Sequence, residues 1–212
     1  MRTVSNIGSD RVLDALRDST IEGRSLDLVT ERLSLFAFDE VRPDLNRLSS
    51  ARQMVPSDLE ALELLGGTSD RSARNRLSSR WLALKLVEWI EQRAEIRWAP
   101  DGIPQGIVVV KDESGAASSA LAGSFALDTP GIGMAPGNPL SMVQATESST
   151  ESERFAVWFE ETWAKLEDHS GVPGADPFAS GGRSARRSPG AWRPVRCSCL
   201  RPAAGRLRGA SW

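Results

Sequence analysis

The segment Gly106–Asp112, with the sequence GIVVVKD, constrains the fold of this chain more than any other segment. Its four consecutive β-branched residues favour an extended backbone. Pro104 lies just before it, and the turn-forming residues Glu113, Ser114 and Gly115 follow it. This pattern predicts a β-strand with well-defined ends.

Helical and extended patterns alternate along the rest of the chain. Further strands are predicted at Ser25–Thr30, Ala51–Val55, Glu95–Trp98, Ser119–Gly123 and Leu140–Ala145. Helices are predicted at residues 9–22, Leu33–Leu48, Ser57–Leu65, Ser69–Arg93 and Glu151–Glu167. Ser9 is a candidate N-cap, Pro43 should cut or kink its helix, and Thr150 with Glu153 forms a candidate capping box. The alternation predicts an α/β layered domain with a mixed sheet flanked by helices.

The charge is distributed unevenly. The formal net charge is −2, but the residues after Gly171 contain eight arginines and a single acid, Asp176. This tail therefore carries about +7 and the preceding body about −9. The tail is also rich in Gly, Pro, Ser and Ala without periodicity, which is typical of disorder. We therefore expect a folded domain at 9–168 and a disordered tail at 171–212. One hypothesis for the origin of this tail is an out-of-frame extension of the gene.

Residues suited to general acid–base or metal chemistry are scarce. The single histidine, His169, follows the last predicted helix, where a solvated surface position is expected. The two cysteines, Cys197 and Cys199, form one Cys-x-Cys in the tail without a second pair to complete a zinc site. The sequence predicts no cofactor and no metal site. No signal peptide or membrane-spanning apolar run is present, so a cytoplasmic location without membrane contact is expected.

The order of elements after Pro104 resembles a known family. A strand, an acidic-Gly turn, a second strand ending in Gly123-Ser124, a Gly-rich loop, Asn138 and a helix containing WFEETW follow one another. The chain thereby resembles the phospholipase D-like domains that precede SNF2-type or DEAD-type helicase modules in bacterial proteins. The segments LDLVTERLSLFAFDEVRPDL and RWLALKLVEWIEQRAEIR belong to the same resemblance, which spans about residues 9–167.

The catalytic positions of that family are altered here. Its strand carries His-x-Lys-x4-Asp, and the resemblance places Gln105 at the histidine, Ile107 at the lysine and Asp112 at the aspartate. Gly123 and Ser124 retain the start of the following turn, and Asn138 is expected in the later strand. The family uses the histidine as nucleophile and the lysine to hold phosphate oxygens. Glutamine cannot form that intermediate, and isoleucine offers neither charge nor donor.

The sequence therefore predicts a catalytically inactive phospholipase D-like accessory or interaction module. Its expected partner is a helicase or another DNA-processing protein, and the resemblance also implies a possible homodimer. Two alternatives stay open: a divergent phosphodiesterase or nuclease using Lys111, Asp112 or Ser124, and a nucleic-acid-binding module using the basic tail. The chain is also consistent with a detached or truncated N-terminal fragment.

Overall fold

A single mixed sheet organises the chain. The computed structural model describes residues 1–57, 79–100 and 102–166, and these contain seven strands in one sheet. The strands are β1 (Arg2–Val4), β2 (Ser25–Val29), β3 (Ser50–Pro56), β4 (Ala94–Ala99), β5 (Gly106–Lys111), β6 (Ala117–Gly123) and β7 (Val143–Thr146). The helices in the described part are α1 (Val12–Ser19), α2 (Leu35–Leu45), α3 (Ser79–Arg93) and α4 (Ser149–Trp163).

The sheet has the strand order β1-β7-β6-β5-β2-β3-β4. Strands β2, β3 and β4 pair in parallel, whereas β5, β6, β7 and β1 join through antiparallel ladders. The connection from β2 to β3 contains α2, as a parallel crossover requires. These pairings confirm the predicted α/β class and its mixed sheet.

Two apolar cores lie on opposite faces of the sheet, and β5 contributes to both. Val108 and Val110 belong to the core that contains residues of α1, α2 and α3. Ile107 and Val109 belong to the other core, which contains residues of α4. All four side chains are at most 2% exposed. The run of β-branched residues therefore forms the central strand of the sheet, buried on both faces.

Helix starts differ from the sequence predictions. Helix α1 begins at Val12 rather than near Ser9, because the side chain of Asn6 accepts a hydrogen bond from the Val12 N–H (3.1 Å) and Arg11 is the N-cap. Helix α4 begins at Ser149 with Ser148 as N-cap, so the predicted capping box starting at Thr150 is wrong. The carboxylate of Glu151 instead accepts a hydrogen bond from the Thr146 hydroxyl. Pro43 is accommodated inside α2.

The sheet edges also differ from the prediction. Strand β1 was not predicted, and its three residues pair with β7. The last strand begins at Val143 rather than Leu140, since Asn138 forms a turn in which Ser141 N–H donates to the Asn138 carbonyl (3.0 Å). The predicted helix Ser57–Leu65, the first half of the helix Ser69–Arg93, His169, the cysteines and the tail lie outside the described residues.

Four tryptophans lie at helical spacing on α3 and α4, and two of them pack in the core. Trp89 and Trp163 are buried, whereas Trp81 and Trp158 are 47% and 41% exposed. Trp158 precedes Phe159, which is fully buried and takes the core position on α4. Trp81 lies under the guanidinium of Arg42, 5.2 Å from its ring centroid. Among the described helices, none has the length and apolarity required to cross a membrane.

Two paired glycines allow the segment after β6 to pass close to the first residue of β5. Gly106 and Gly123 lie opposite each other in the β5–β6 ladder. A Cβ atom on Gly106 would lie 2.3 Å from the Phe125 carbonyl oxygen, and one on Gly123 would lie 2.2 Å from the Met142 carbonyl oxygen. The backbone at both positions therefore leaves no room for a side chain, and the segment after β6 folds back at this point.

Replacing Gly106 with alanine should destabilise the fold by about 1–3 kcal/mol, the usual cost of forcing an extra methyl group into a packed site. The φ angle of Gly106 is not positive, so the loss would report the steric clash alone. Urea denaturation of the full chain measures it. Gly115→Ala is the matched control, because Gly115 has φ +85° but open space around it and should lose only about 1–2 kcal/mol for backbone strain. A Gly106→Ala variant as stable as the parent would contradict the proposed crossover packing.

Candidate functional site

The sequence-predicted motif residues lie at both ends of β5 rather than together. Gln105 is exposed and immediately precedes the strand, where it lines a cleft of about 460 Å³. Ser124 and Asn138 line the same cleft, and Ser124 follows Gly123 directly at the end of β6. We call this space the motif cleft. Three of the six motif positions therefore share one concave surface.

Ile107 and Asp112 do not reach the motif cleft. Ile107 is 2% exposed and packs in the core with α4, paired with Val29 and Ala122 of the neighbouring strands. Asp112 lies beyond the far end of β5, in the turn to β6. Its carboxylate accepts hydrogen bonds from the Ser114 N–H (2.9 Å), the Ser114 hydroxyl (2.6 Å) and the Ala116 N–H (3.1 Å). The Ser114 hydrogen bond, followed by those from the backbone, keeps the pKa of Asp112 below its ordinary value.

Asn138 and Ser124 serve local backbone structure in the motif cleft. Asn138 was predicted in a strand, but it lies in the turn before β7, where its side-chain oxygen accepts from the Leu140 N–H (2.9 Å). The Ser124 N–H donates to the Met142 carbonyl (3.0 Å), and the Ser124 side chain is exposed. The two following residues, Phe125 and Ala126, are buried in the protein interior. They therefore present no polar groups to the cleft.

Among the described residues, the charged side chains that line the motif cleft are two acids and one base. Arg32 donates from Nε to Asp128 (2.8 Å) and from Nη1 to Glu31 (3.1 Å). Asp128 is nearly buried and also accepts from the Gly131 N–H at 2.7 Å. The single guanidinium is thus bound by the two carboxylates beside it. The formal charge of the lining is negative, which opposes the approach of a phosphodiester.

The Gly-rich segment 131–137 is a loop, as the sequence predicted, and it is held in place by hydrogen bonds. The Asn6 amide donates to the carbonyls of Pro130 (3.1 Å) and Gly131 (3.0 Å). The Leu13 N–H at the start of α1 donates to the Ile132 carbonyl (3.2 Å), and the Ile132 side chain is fully buried. The Leu13 N–H, which has no acceptor within α1, is therefore bound by this loop. The loop itself leads into β7 and not into a helix.

Sequence reasoning missed a second constellation, on the face of the sheet covered by α4. Asp27 from β2, Arg52 from β3, Lys111 from β5 and Glu160 from α4 form a network that we call the charged cluster. Asp27 accepts from Arg52 Nε and Nη2, each at 2.8 Å, and from Lys111 Nζ at 2.8 Å. The Asp27 side chain is only 3% exposed, so these two cations balance a buried charge.

Glu160 completes the charged cluster from the helix side. Its Oε1 accepts from Arg52 Nη2 (2.6 Å) and Lys111 Nζ (2.9 Å), and its Oε2 accepts from Arg52 Nη1 (3.0 Å). The Arg52 guanidinium also lies over the rings of Phe159 and Trp163, with centroid distances of 4.9 and 5.4 Å. One arginine therefore joins two carboxylates and two aromatic rings across the sheet–helix interface.

These contacts shift the pKa values of Glu160, Lys111 and Arg52 in the direction that favours the charged form of each. The Arg52 hydrogen bond, opposed by burial and reinforced by Lys111, lowers the pKa of Glu160 from 4.5 to about 2. Burial lowers the pKa of Lys111, but its hydrogen bonds to Asp27 and Glu160 outweigh burial and raise it. The pKa of Arg52 is also raised, because its hydrogen bonds to Glu160 and Asp27 exceed the cost of burial. Arg52, Lys111 and Glu160 are therefore charged at neutral pH.

Lys111 lies on the same face of the sheet as Ile107, because both contact the α4 side. Its ammonium is bound by Asp27 and Glu160 and does not line the motif cleft. Six residues separate it from Gln105, which corresponds to about 20 Å along an extended strand. Lys111 therefore does not supply a cation to the motif cleft. In the part of the chain that the structure describes, no group of three His, Cys, Asp or Glu side chains is arranged to hold a metal ion.

Comparisons with known proteins give structural likeness without close sequence similarity. No protein-family model matches the chain, and no curated protein matches it significantly. Nuc from Salmonella typhimurium, a phospholipase D family member, has a TM-score of 0.46 and 11% identity, with 74% of this chain and 88% of that chain covered. NucT from Helicobacter pylori has a TM-score of 0.43 and 8% identity, with coverage of 74% and 87%.

A third similar structure is TrmBL2, an archaeal chromatin protein with a novel mode of DNA binding. Its TM-score is 0.43 at 12% identity, and the match covers 79% of this chain but 52% of TrmBL2, so the chain spans about half the length of that protein. With TM-scores below 0.5, these likenesses assign neither an activity nor a partner to the chain.

Changing Asp27 to Asn should destabilise the protein by about 3 kcal/mol, because it leaves Arg52 and Lys111 facing an uncharged group in a buried site. Urea denaturation of the full chain measures the free energy of unfolding. Glu88→Gln is the matched control, because Glu88 forms an exposed pair with Lys85 and its loss should hardly change the free energy of unfolding. Equal losses in the two variants would show that the charged cluster contributes no more than a surface ion pair.

Proposed function

We propose that this chain is a phospholipase D-like domain without hydrolytic activity, which serves as an accessory or interaction module for helicase-related DNA-processing proteins. One observation carries the proposal: the position expected to hold the nucleophile has the neutral Gln105 at the motif cleft, and the lysine position has Ile107 inside the apolar core. A phosphodiesterase of this type requires an imidazole and a cation directed at one phosphate.

The electrostatics of the motif cleft support the absence of hydrolysis. The part of the lining that the structure describes contains the acids Glu31 and Asp128 and the base Arg32, and both carboxylates bind that arginine. A phosphate entering the cleft would meet a net negative lining. The residues of the alternative enzyme hypothesis are also dispersed, since Lys111 belongs to the charged cluster and Asp112 to a turn, so only Ser124 faces the cleft.

The rim of the motif cleft supports an interaction role. Ile7, which lines the cleft, is 74% exposed, and Leu140 and Met142, which flank the lining residue Ser141, are 87% and 57% exposed. Exposed apolar side chains that cluster around a concave surface are typical of protein interaction sites. The resemblance implies a helicase-type partner and a possible homodimer, and the use of this rim by either is part of our proposal. Nucleic-acid binding by the basic tail concerns residues outside the described part.

Hydrolysis of bis(p-nitrophenyl) phosphate and of single-stranded and duplex DNA should not exceed that of buffer, with or without a chelator. The physical reason is that the described lining of the motif cleft contains no imidazole, and that its arginine is already bound by two carboxylates. The measurement compares the full chain with Ser124→Ala and Lys111→Ala variants. Turnover that falls at least about a hundredfold in either variant, but not in Ser141→Ala, would establish the divergent phosphodiesterase instead.

Binding to a helicase encoded beside this chain should weaken at least about tenfold when Leu140 and Met142 are both changed to serine. Exposed apolar side chains contribute little to the stability of the free protein, so the loss would reflect the interface. Calorimetry with the purified pair measures the dissociation constant. Ile21→Ser is the matched control, because Ile21 is 51% exposed and neither lines the motif cleft nor adjoins a residue that does. A partner that binds the double variant and the parent equally would place the interface elsewhere.

A further inference from the structure

Arg52 presents two hydrogen-bonding edges to two carboxylates of very different exposure. The inner edge, Nε and Nη2, is held by Asp27, whose side chain is 3% exposed and fixed in the sheet. The outer edge, Nη1 and Nη2, is held by Glu160, whose side chain is 50% exposed. Asp27 and the stacked aromatic rings therefore fix the guanidinium, while its outer edge faces a carboxylate at the protein surface.

The outer edge forms a preorganised site for one carboxylate. Two guanidinium nitrogens and Lys111 Nζ donate to Glu160 at 3.0, 2.6 and 2.9 Å. A bidentate arginine with a third cationic donor is a geometry that proteins use to bind free carboxylates. Because Arg52 and Lys111 are both also bound by Asp27, these donors should keep their places when Glu160 moves away.

Space for a ligand lies directly beside this site. A cavity of about 580 Å³ is lined by all four members of the charged cluster, by Ser25, Ser49 and Ser50, and by Glu91, Arg93 and Glu95. The anion site is therefore the outer edge of Arg52 with Lys111, and not the cavity lining as a whole. The cavity volume falls within the usual range for small-molecule sites. None of the lining residues belongs to the motif cleft, so the two spaces are separate.

We propose that Arg52 and Lys111 form a binding site for the carboxylate of a small molecule, and that Glu160 closes this site as an internal competitor. Displacement of Glu160 leaves the cluster with one excess positive charge, because Asp27 alone then opposes two cations. A monocarboxylate restores neutrality, whereas a phosphate dianion would add an excess negative charge beside the buried Asp27. The site thus favours a carboxylate over a phosphate, and it is independent of the proposed role of the motif cleft.

Chemical rescue tests the site in the full chain. Glu160→Ala removes the internal carboxylate and retains a good helix former at an exposed position, so the variant should fold. Acetate should then raise its melting temperature saturably relative to chloride at equal ionic strength. The variant should also bind acetate at least about tenfold more tightly than the parent chain, since the competing carboxylate is gone. A Glu160→Ala variant that responds identically to acetate and chloride would overturn the proposal.

Three matched measurements separate the site from general anion effects. Glu160→Gln keeps the space filled and should show no acetate-specific gain, and Glu161→Ala, on the exposed neighbouring residue, should behave as the parent. Acetate-specific stabilisation of equal size in either variant would exclude closure by Glu160. Phosphate that stabilises Glu160→Ala as well as acetate does would overturn the carboxylate assignment. A parent chain that binds no acetate at a thousandfold excess over the variant's dissociation constant would exclude a ligand role.

Discussion

Burial of β5 on both faces is the constraint on which the rest of the fold depends. A strand with Val108 and Val110 on one face and Ile107 and Val109 on the other needs a helical layer on each side to exclude water. Helices α1, α2 and α3 contribute to one core and α4 to the other. The central position of β5 also lies where the sheet changes from antiparallel to parallel pairing. β5 pairs antiparallel with both β2 and β6, whereas β2 pairs in parallel with β3.

The end of the same strand explains why a charged network is present inside the α4 interface. Lys111 continues the α4-facing side of β5, so its ammonium emerges beside a core rather than in open solvent. Leaving such a charge unpaired would cost several kcal/mol. Asp27 on the adjacent strand pairs with it in a fixed position, and Arg52 and Glu160 extend the network to the helix. The interface therefore combines apolar packing, with Phe159 and Trp163, and directional bonds that fix how α4 lies on the sheet.

The sequence was sufficient for the elements whose signals are local. The β-branched run of β5, the alternating pattern of β2 and the periodic face of α4 gave the α/β class and most element positions. Contacts between distant residues were not accessible: Arg52 and Glu160 are 108 residues apart, and Lys111 and Glu160 are 49 apart. Asp27 interrupts a strand with an acid, which is a weak signal by itself. The predicted caps failed because Asn6, which is not a cap by sequence, accepts from the first N–H of α1, and because Thr150 already lies inside α4.

The two ends of β5 differ in the positive charge that lies beside them. A phosphodiester site needs positive charge at the motif cleft, where the described lining offers Arg32 between two carboxylates. The two cations held ready by a buried acid, Arg52 and Lys111, instead meet at the opposite end of the strand, about 20 Å away by strand geometry. A side chain cannot cover that distance. Of these two described sites, the charged cluster holds the cations that can meet an anion, whereas the motif cleft has the neutral Gln105 and an exposed apolar rim.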